Sequence, residues 1–167
     1  MKKSIVILAL VAISAVAMQS AYGQSDVATQ SLNLAVNAVY KIATSGNPSA
    51  LTITTGTAGT DALTSVSDAT STYSITQNYG NTVKITANLD AALSSGYTLQ
   101  IGLASSKGTS AGAVDISNAT SGSAVDVVTS IAQGADANKA ITYTFSALAS
   151  AGMLSSTTKT VTLTLTN

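Results

Sequence analysis

Residues 158–167 read TKTVTLTLTN, and within that run apolar and hydroxyl side chains alternate without a break. Successive side chains of a strand point to opposite faces, so Val161, Leu163 and Leu165 share one face and Thr160, Thr162, Thr164 and Thr166 the other. A helix would scatter both sets around its circumference. Three architectures use such a strand: a transmembrane barrel, a flat hydroxyl array that recognises a repeating surface, and a secreted sandwich with one face in its core.

The same period recurs along the chain. From Ala28 to Ile42 the even positions are apolar except Gln30, while most odd positions are polar. Pro48 then breaks the pattern, because it lacks an amide hydrogen and restricts Asn47 before it. Further strands are predicted at 51–55, 71–76, 82–89, 97–104, 124–131, 140–147 and 159–166, each rich in β-branched or aromatic residues. Turns are expected at 78–81 and 94–96, flexible loops at 105–113 and 117–124, and a helical turn within 147–153. No ten-residue helical pattern separates the strands and no fixed-period repeat appears. The expected fold is all-β: a single antiparallel sandwich, Ig-like or pilin-like, of about seven to nine strands.

The N-terminus carries the features of an export signal. Lys2 and Lys3 precede the apolar run Ile5 to Met18, and small residues follow at Ala21 and Gly23. The apolar run is shorter than the ~20 residues that span a bilayer. Cleavage is expected after Gly23, giving a signal peptide at 1–23, a β-sandwich domain at 24–167, and a secreted or cell-surface protein without stable membrane insertion. No cysteine offers a lipid-attachment point.

Missing residue types narrow the chemistry. The chain has no His, Cys, Trp, Arg or Glu. Ser-His-Asp and Cys-His machinery cannot be assembled, nor can the usual zinc and haem sites. Five lysines and seven aspartates follow Gly23, too balanced a set to attract nucleic acid. The S-x-x-K pattern at Ser156–Lys159 leads into a strand rather than opening a helix, and its usual partner motifs are missing. Asp61, Asp68, Asp115 and Asp136 are the candidates for a structural Ca²⁺ between loops, although the glycine and glutamate of a calcium loop are missing. Asn118 has the form of a glycosylation sequon and reads as a loop residue, while Lys84 and Lys159 read as solvent-facing strand lysines. No catalytic, cofactor-binding or metal residue is assigned, no cofactor is expected, and the chain reads as a non-enzyme.

With a single Phe, no Trp and six Tyr, the chain lacks the aromatic girdles of a membrane barrel. Its T-x-T motifs are too irregularly placed for an ice-binding array. Outward threonine on a sandwich keeps a face soluble without charge and pairs well across strands.

An export signal, few charges, an Ala/Ser/Thr-rich chain and a final strand TVTLTLT resemble the small pilin-like sandwich subunits of bacterial surfaces, including the spore coat protein U type. The resemblance implies a self-associating subunit of an extracellular fibre, pilus or surface coat with no catalytic residues. Many such pilins carry cysteines, and this chain has none. The alternative is a secreted, non-catalytic binding module that grips a glycan or a surface through its loops.

The run 28–42 bears on that choice. Fully extended at ~3.3 Å per residue it would reach about 50 Å, against a diameter of about 40 Å for a compact domain of this size. It is expected either to bulge near Asn37 and form two strands of one sandwich, or to project from Ala28 to Val36 and complete a neighbour's sheet with Leu32, Leu34 and Val36.

Overall fold

A computed structural model describes residues 26–167. The expected signal segment and its cleavage point lie outside the described residues. The chain divides into two units after Val36. Of the first, residues 26–36 are described; they carry no strand and are exposed throughout.

The second unit, Asn37–Asn167, is the expected antiparallel sandwich. Its strands are β1 (Tyr40–Ser45), β2 (Val66–Gln77), β3 (Val83–Leu89), β4 (Tyr97–Leu103), β5 (Thr109–Ser110), β6 (Val114–Asp115), β7 (Val125–Ile131), β8 (Gly134–Ala147) and β9 (Val161–Thr166). One sheet runs β1-β2-β8-β4-β6 and the other β5-β7-β3-β9. A 3-10 turn at Ala149–Ala151 occupies the expected helical segment.

Alternation builds the core. In β3, Val83, Ile85, Ala87 and Leu89 are buried while Lys84, Thr86 and Asn88 between them are half-exposed. β4 repeats the pattern with Tyr97, Leu99, Ile101 and Leu103. Their inward faces meet Tyr73, Ile75, Ile141 and Tyr143 of β2 and β8, and Val127, Val128 and Ile131 of β7. The outward hydroxyls pair across strands, as Ser45 with Thr72 at 2.7 Å and Ser67 with Thr144 at 2.8 Å.

Register shifts interrupt two of the ladders, at Asp68/Ser71 and Tyr73/Ile75 between β2 and β8, and at Val83/Ile85 and Ile85/Thr86 between β3 and β7. Tyr73 faces Lys139 and Ile75 faces Asp136, so β8 holds one extra residue there, with Asn138 at φ 52. β7 has a similar offset at Ser130, φ 54. Three of the expected features differ from the sequence reading. No strand or bulge forms near Asn37, because β1 begins only at Tyr40. Segment 51–55 lies outside the ladders, ending beside an isolated bridge from Gly56 to Leu63. The loop 105–113 contains the short β5.

The register defines two poles. Tyr40, Gln77, Val83 and Gly134 lie at one end, with the β2–β3 turn. Leu89, Tyr97, Ala147 and Val161 lie at the other, with the connection 148–160, while β1 covers only the tail half of β2 and ends at Ser45 opposite Thr72. We refer to these as the tail and head poles. Among the described residues, no helix is long and apolar enough to cross a membrane.

Candidate functional site

Among the described residues, β1 bonds only to β2 and β9 only to β3, so each has one open edge. The edges of β1 and β9 run side by side, one from each sheet, and a groove of about 310 Å³ opens between them. It is lined by Ile42, Ala43 and Thr44 from β1 and Val161, Thr162 and Leu163 from β9. Ile42, Val161 and Leu163 are only half-buried, although each sits on the inward face of its strand and packs against the core. Apolar side chains that point inward yet still meet water mark a core that is incompletely covered at this seam. An edge strand also presents unpaired N–H and C=O groups, which template a further strand.

The hydroxyl ladder of β9 faces outward, as the sequence reading expects, and its apolar face packs on the core. Thr162 and Thr164 are exposed on the outer face. The strand itself borders the sandwich and does not close it.

On the chain's N-terminal side, the sandwich begins at a defined clamp. Val39 N–H donates to Asn78 Oδ1 at 2.6 Å, Asn78 N–H donates to the Val39 carbonyl at 3.2 Å, and Asn78 Nδ2 donates to the Asn37 carbonyl at 2.9 Å. One asparagine thus fixes residues 37–39 at the tail pole without any strand. Preceding them, Leu32, Leu34 and Val36 are 79%, 85% and 87% exposed. Their spacing places all three on one face of any strand they form.

The aspartates singled out by the sequence are not brought together. Asp61 accepts from the Ser150 N–H and hydroxyl, both at 2.8 Å. The Thr70 N–H and hydroxyl hold the Asp68 carboxyl below its usual range. Asp115 accepts from the Ser117 N–H at 2.8 Å. Asp136, 4% exposed, receives the Ser106 N–H and hydroxyl at 2.7 Å each, the Ser105 hydroxyl at 3.3 Å, and Lys139 Nζ at 3.1 Å. Burial pushes the Asp136 carboxyl up, but the Ser106 hydrogen bonds and Lys139 outweigh it and hold it at about 2. Its partners come from the crossover that carries the chain from β4 to β5, so Asp136 ties that crossover to β8. No group of three or more candidate ligands is found among the described residues. EDTA is accordingly expected to leave the melting temperature of the protein within ~5 °C, measured by thermal unfolding; a larger fall would demonstrate a stabilising bound cation.

Ser156 and Lys159 lie in the connection before β9. Lys159 Nζ donates to the Ala91 and Ala92 carbonyls at 3.1 and 3.4 Å. Lys84 pairs with Asp126 at 2.9 Å. Asn118 is exposed in a turn, and its carbonyl accepts from Ser123 Oγ at 3.4 Å. A second hollow, about 290 Å³, opens beside it between Asp115 and Val125.

The chain matches no protein-family model, and comparison with curated proteins and with solved structures gives no match.

Proposed function

We propose that this protein is an exported structural subunit that polymerises into an extracellular fibre or surface coat by donating residues 26–36 to a neighbouring copy. The acceptor is the groove between β1 and β9. The observation that carries the reading is the match between Leu32, Leu34 and Val36, apolar at alternate positions and almost wholly exposed, and a groove lined by half-buried Ile42, Val161 and Leu163. Burying an aliphatic side chain contributes ~1.5–3 kcal/mol, so three of them supply on the order of 5–8 kcal/mol before the cost of ordering the arm. Main-chain hydrogen bonds to the edge provide further affinity, and the alternate side chains set the register. Because donor and acceptor are different surfaces, the association is heterologous and propagates as an open filament.

The test is electron microscopy and sedimentation of the secreted protein. The unaltered chain should form filaments. Deleting 26–36 should leave folded monomer, and Leu34→Asp should block polymerisation without changing export. Normal filaments from the deletion would refute strand donation. A full-length protein that stays monomeric at high concentration and binds a glycan saturably would instead favour the binding-module reading.

A further inference from the structure

The tail and head poles of the sandwich carry different surfaces. At the head, Leu148, Met153 and Leu154 are 41%, 100% and 45% exposed, three large apolar side chains within seven residues. At the tail, Val39 is 37% exposed and the rings of Tyr40 and Tyr79 sit 5.4 Å apart, tilted at 44°. Lone exposed apolar residues such as Val39 are ordinary, and Tyr40 and Tyr79 are half-buried against the core. Three large apolar side chains exposed within seven residues at the head, by contrast, form a surface that a partner can cover.

Resting on the strand-donation reading above, we propose that the Leu148–Leu154 knob is a docking surface for a second copy of this chain, receiving that copy's tail pole at Val39 and Tyr79. Chain connectivity brings these surfaces together when the arm lies antiparallel to β9. Val36 is the last apolar residue of the arm, and Asn37 immediately after it is already held by Asn78. No Gly- or Pro-containing linker separates arm from sandwich. A copy whose arm occupies a groove must therefore bring its own tail pole up to the end of that groove. The groove residues Val161 and Leu163 belong to the head half of β9, opposite Leu89 and Ala87. Paired antiparallel to β9, the direction that every strand pair of the sandwich takes, the arm ends with Val36 beside Val161, and the donor's tail then meets the acceptor's head, where Met153 is fully exposed. A thioether adapts to irregular surfaces and packs favourably at the edge of an aromatic ring, as Tyr79 would offer.

The chain has no cysteine, so introduced thiols report the contact without interference. The twelve residues of β2 separate the poles by about 40 Å at ~3.3 Å each. A disulfide needs Cα atoms within ~7 Å, so positions 39 and 153 of one molecule cannot be bridged. Mixing Val39→Cys with Met153→Cys protein under mild oxidation should give a heterodimeric disulfide, and the arm-deleted versions should not. Separately, Met153→Asp with Leu154→Asp should raise the concentration needed for polymerisation at least about tenfold and leave the monomer's melting temperature unchanged, since both residues are exposed. Two failures are distinguishable. Filaments that survive deletion of 26–36 sink strand donation and this contact together. Filaments lost on that deletion but indifferent to the paired aspartates, with no 39–153 disulfide, overturn the head–tail contact alone.

Discussion

Replacing Tyr73 with alanine should lower stability by about 3–5 kcal/mol, the range for emptying a buried aromatic site. Tyr73 is 1% exposed at the centre of β2, and its ring belongs to the main core cluster. Its hydroxyl donates to the Ala104 carbonyl at 2.7 Å, just past the end of β4. Alanine leaves a cavity and strips that carbonyl of its donor. In a domain of this size the melting temperature should fall by roughly 10–20 °C. Tyr73→Phe separates the two contributions, because it keeps the ring and removes only the hydrogen bond, at a cost of about 1 kcal/mol. Chemical denaturation of both variants provides the check. A loss below about 1 kcal/mol for the alanine variant would mean that the core does not pack around this ring.

The second large effect belongs to Asp136. Its carboxyl titrates at about 2 in the folded chain and near ~3.9 when unfolded, a difference that corresponds to ~2–3 kcal/mol. The folded value is the lower one, so the contribution is fully present above about pH 5 and is lost as pH falls toward 2. Asp136→Asn should remove ~2–4 kcal/mol at neutral pH, because an amide cannot match Lys139, and its NH2 replaces one of the two oxygens that each accept from Ser106. The variant should also show a flatter fall in stability between pH 5 and pH 2. Denaturation across that range tests both statements; an unchanged acid profile would show that other carboxylates govern acid unfolding. The two sites are close: burial pushes the Tyr73 phenol up, and the Asp136 charge adds to the shift. Their combined variant should depart from additivity.

How far the sequence could be read depends on what each segment meets. Segments 71–76, 82–89, 97–104, 124–131, 140–147 and 159–166 all lie largely within strands, because their apolar positions find a facing sheet and their edges find a partner. Segment 28–39 alternates just as well and forms no strand. Period two marks a chain able to pair; it does not supply the partner. The first halves of β2 and β8 escaped notice for the opposite reason. They lack clean alternation because each carries a register shift, one between Asp68 and Ser71 of β2 and one opposite Tyr73–Ile75, where β8 holds Asn138 at positive φ. Asp136 itself stood out in the sequence as a possible cation ligand. Its actual partners Ser105 and Ser106 lie about thirty residues away in what read as a flexible loop, and no local pattern links them. The groove was equally hidden, since β1 and β9 are separated by more than a hundred residues.

The Asn78 clamp has a mechanical consequence. Tension applied through residues before Asn37, directed away from the tail pole, reaches the sandwich first at the Asn78 contacts and then at Tyr40. From there it runs along β1. The ladder bonds between β1 and β2 lie across the strand axis, from Tyr40 opposite Gln77 to Ser45 opposite Thr72. A pull parallel to the strand strains all of those rungs together, in shear. The same pull applied to the Ser45 end, turned outward, would peel them apart one after another. Any load that entered through the arm would therefore meet β1 at the end where rupture requires the rungs to fail as a set.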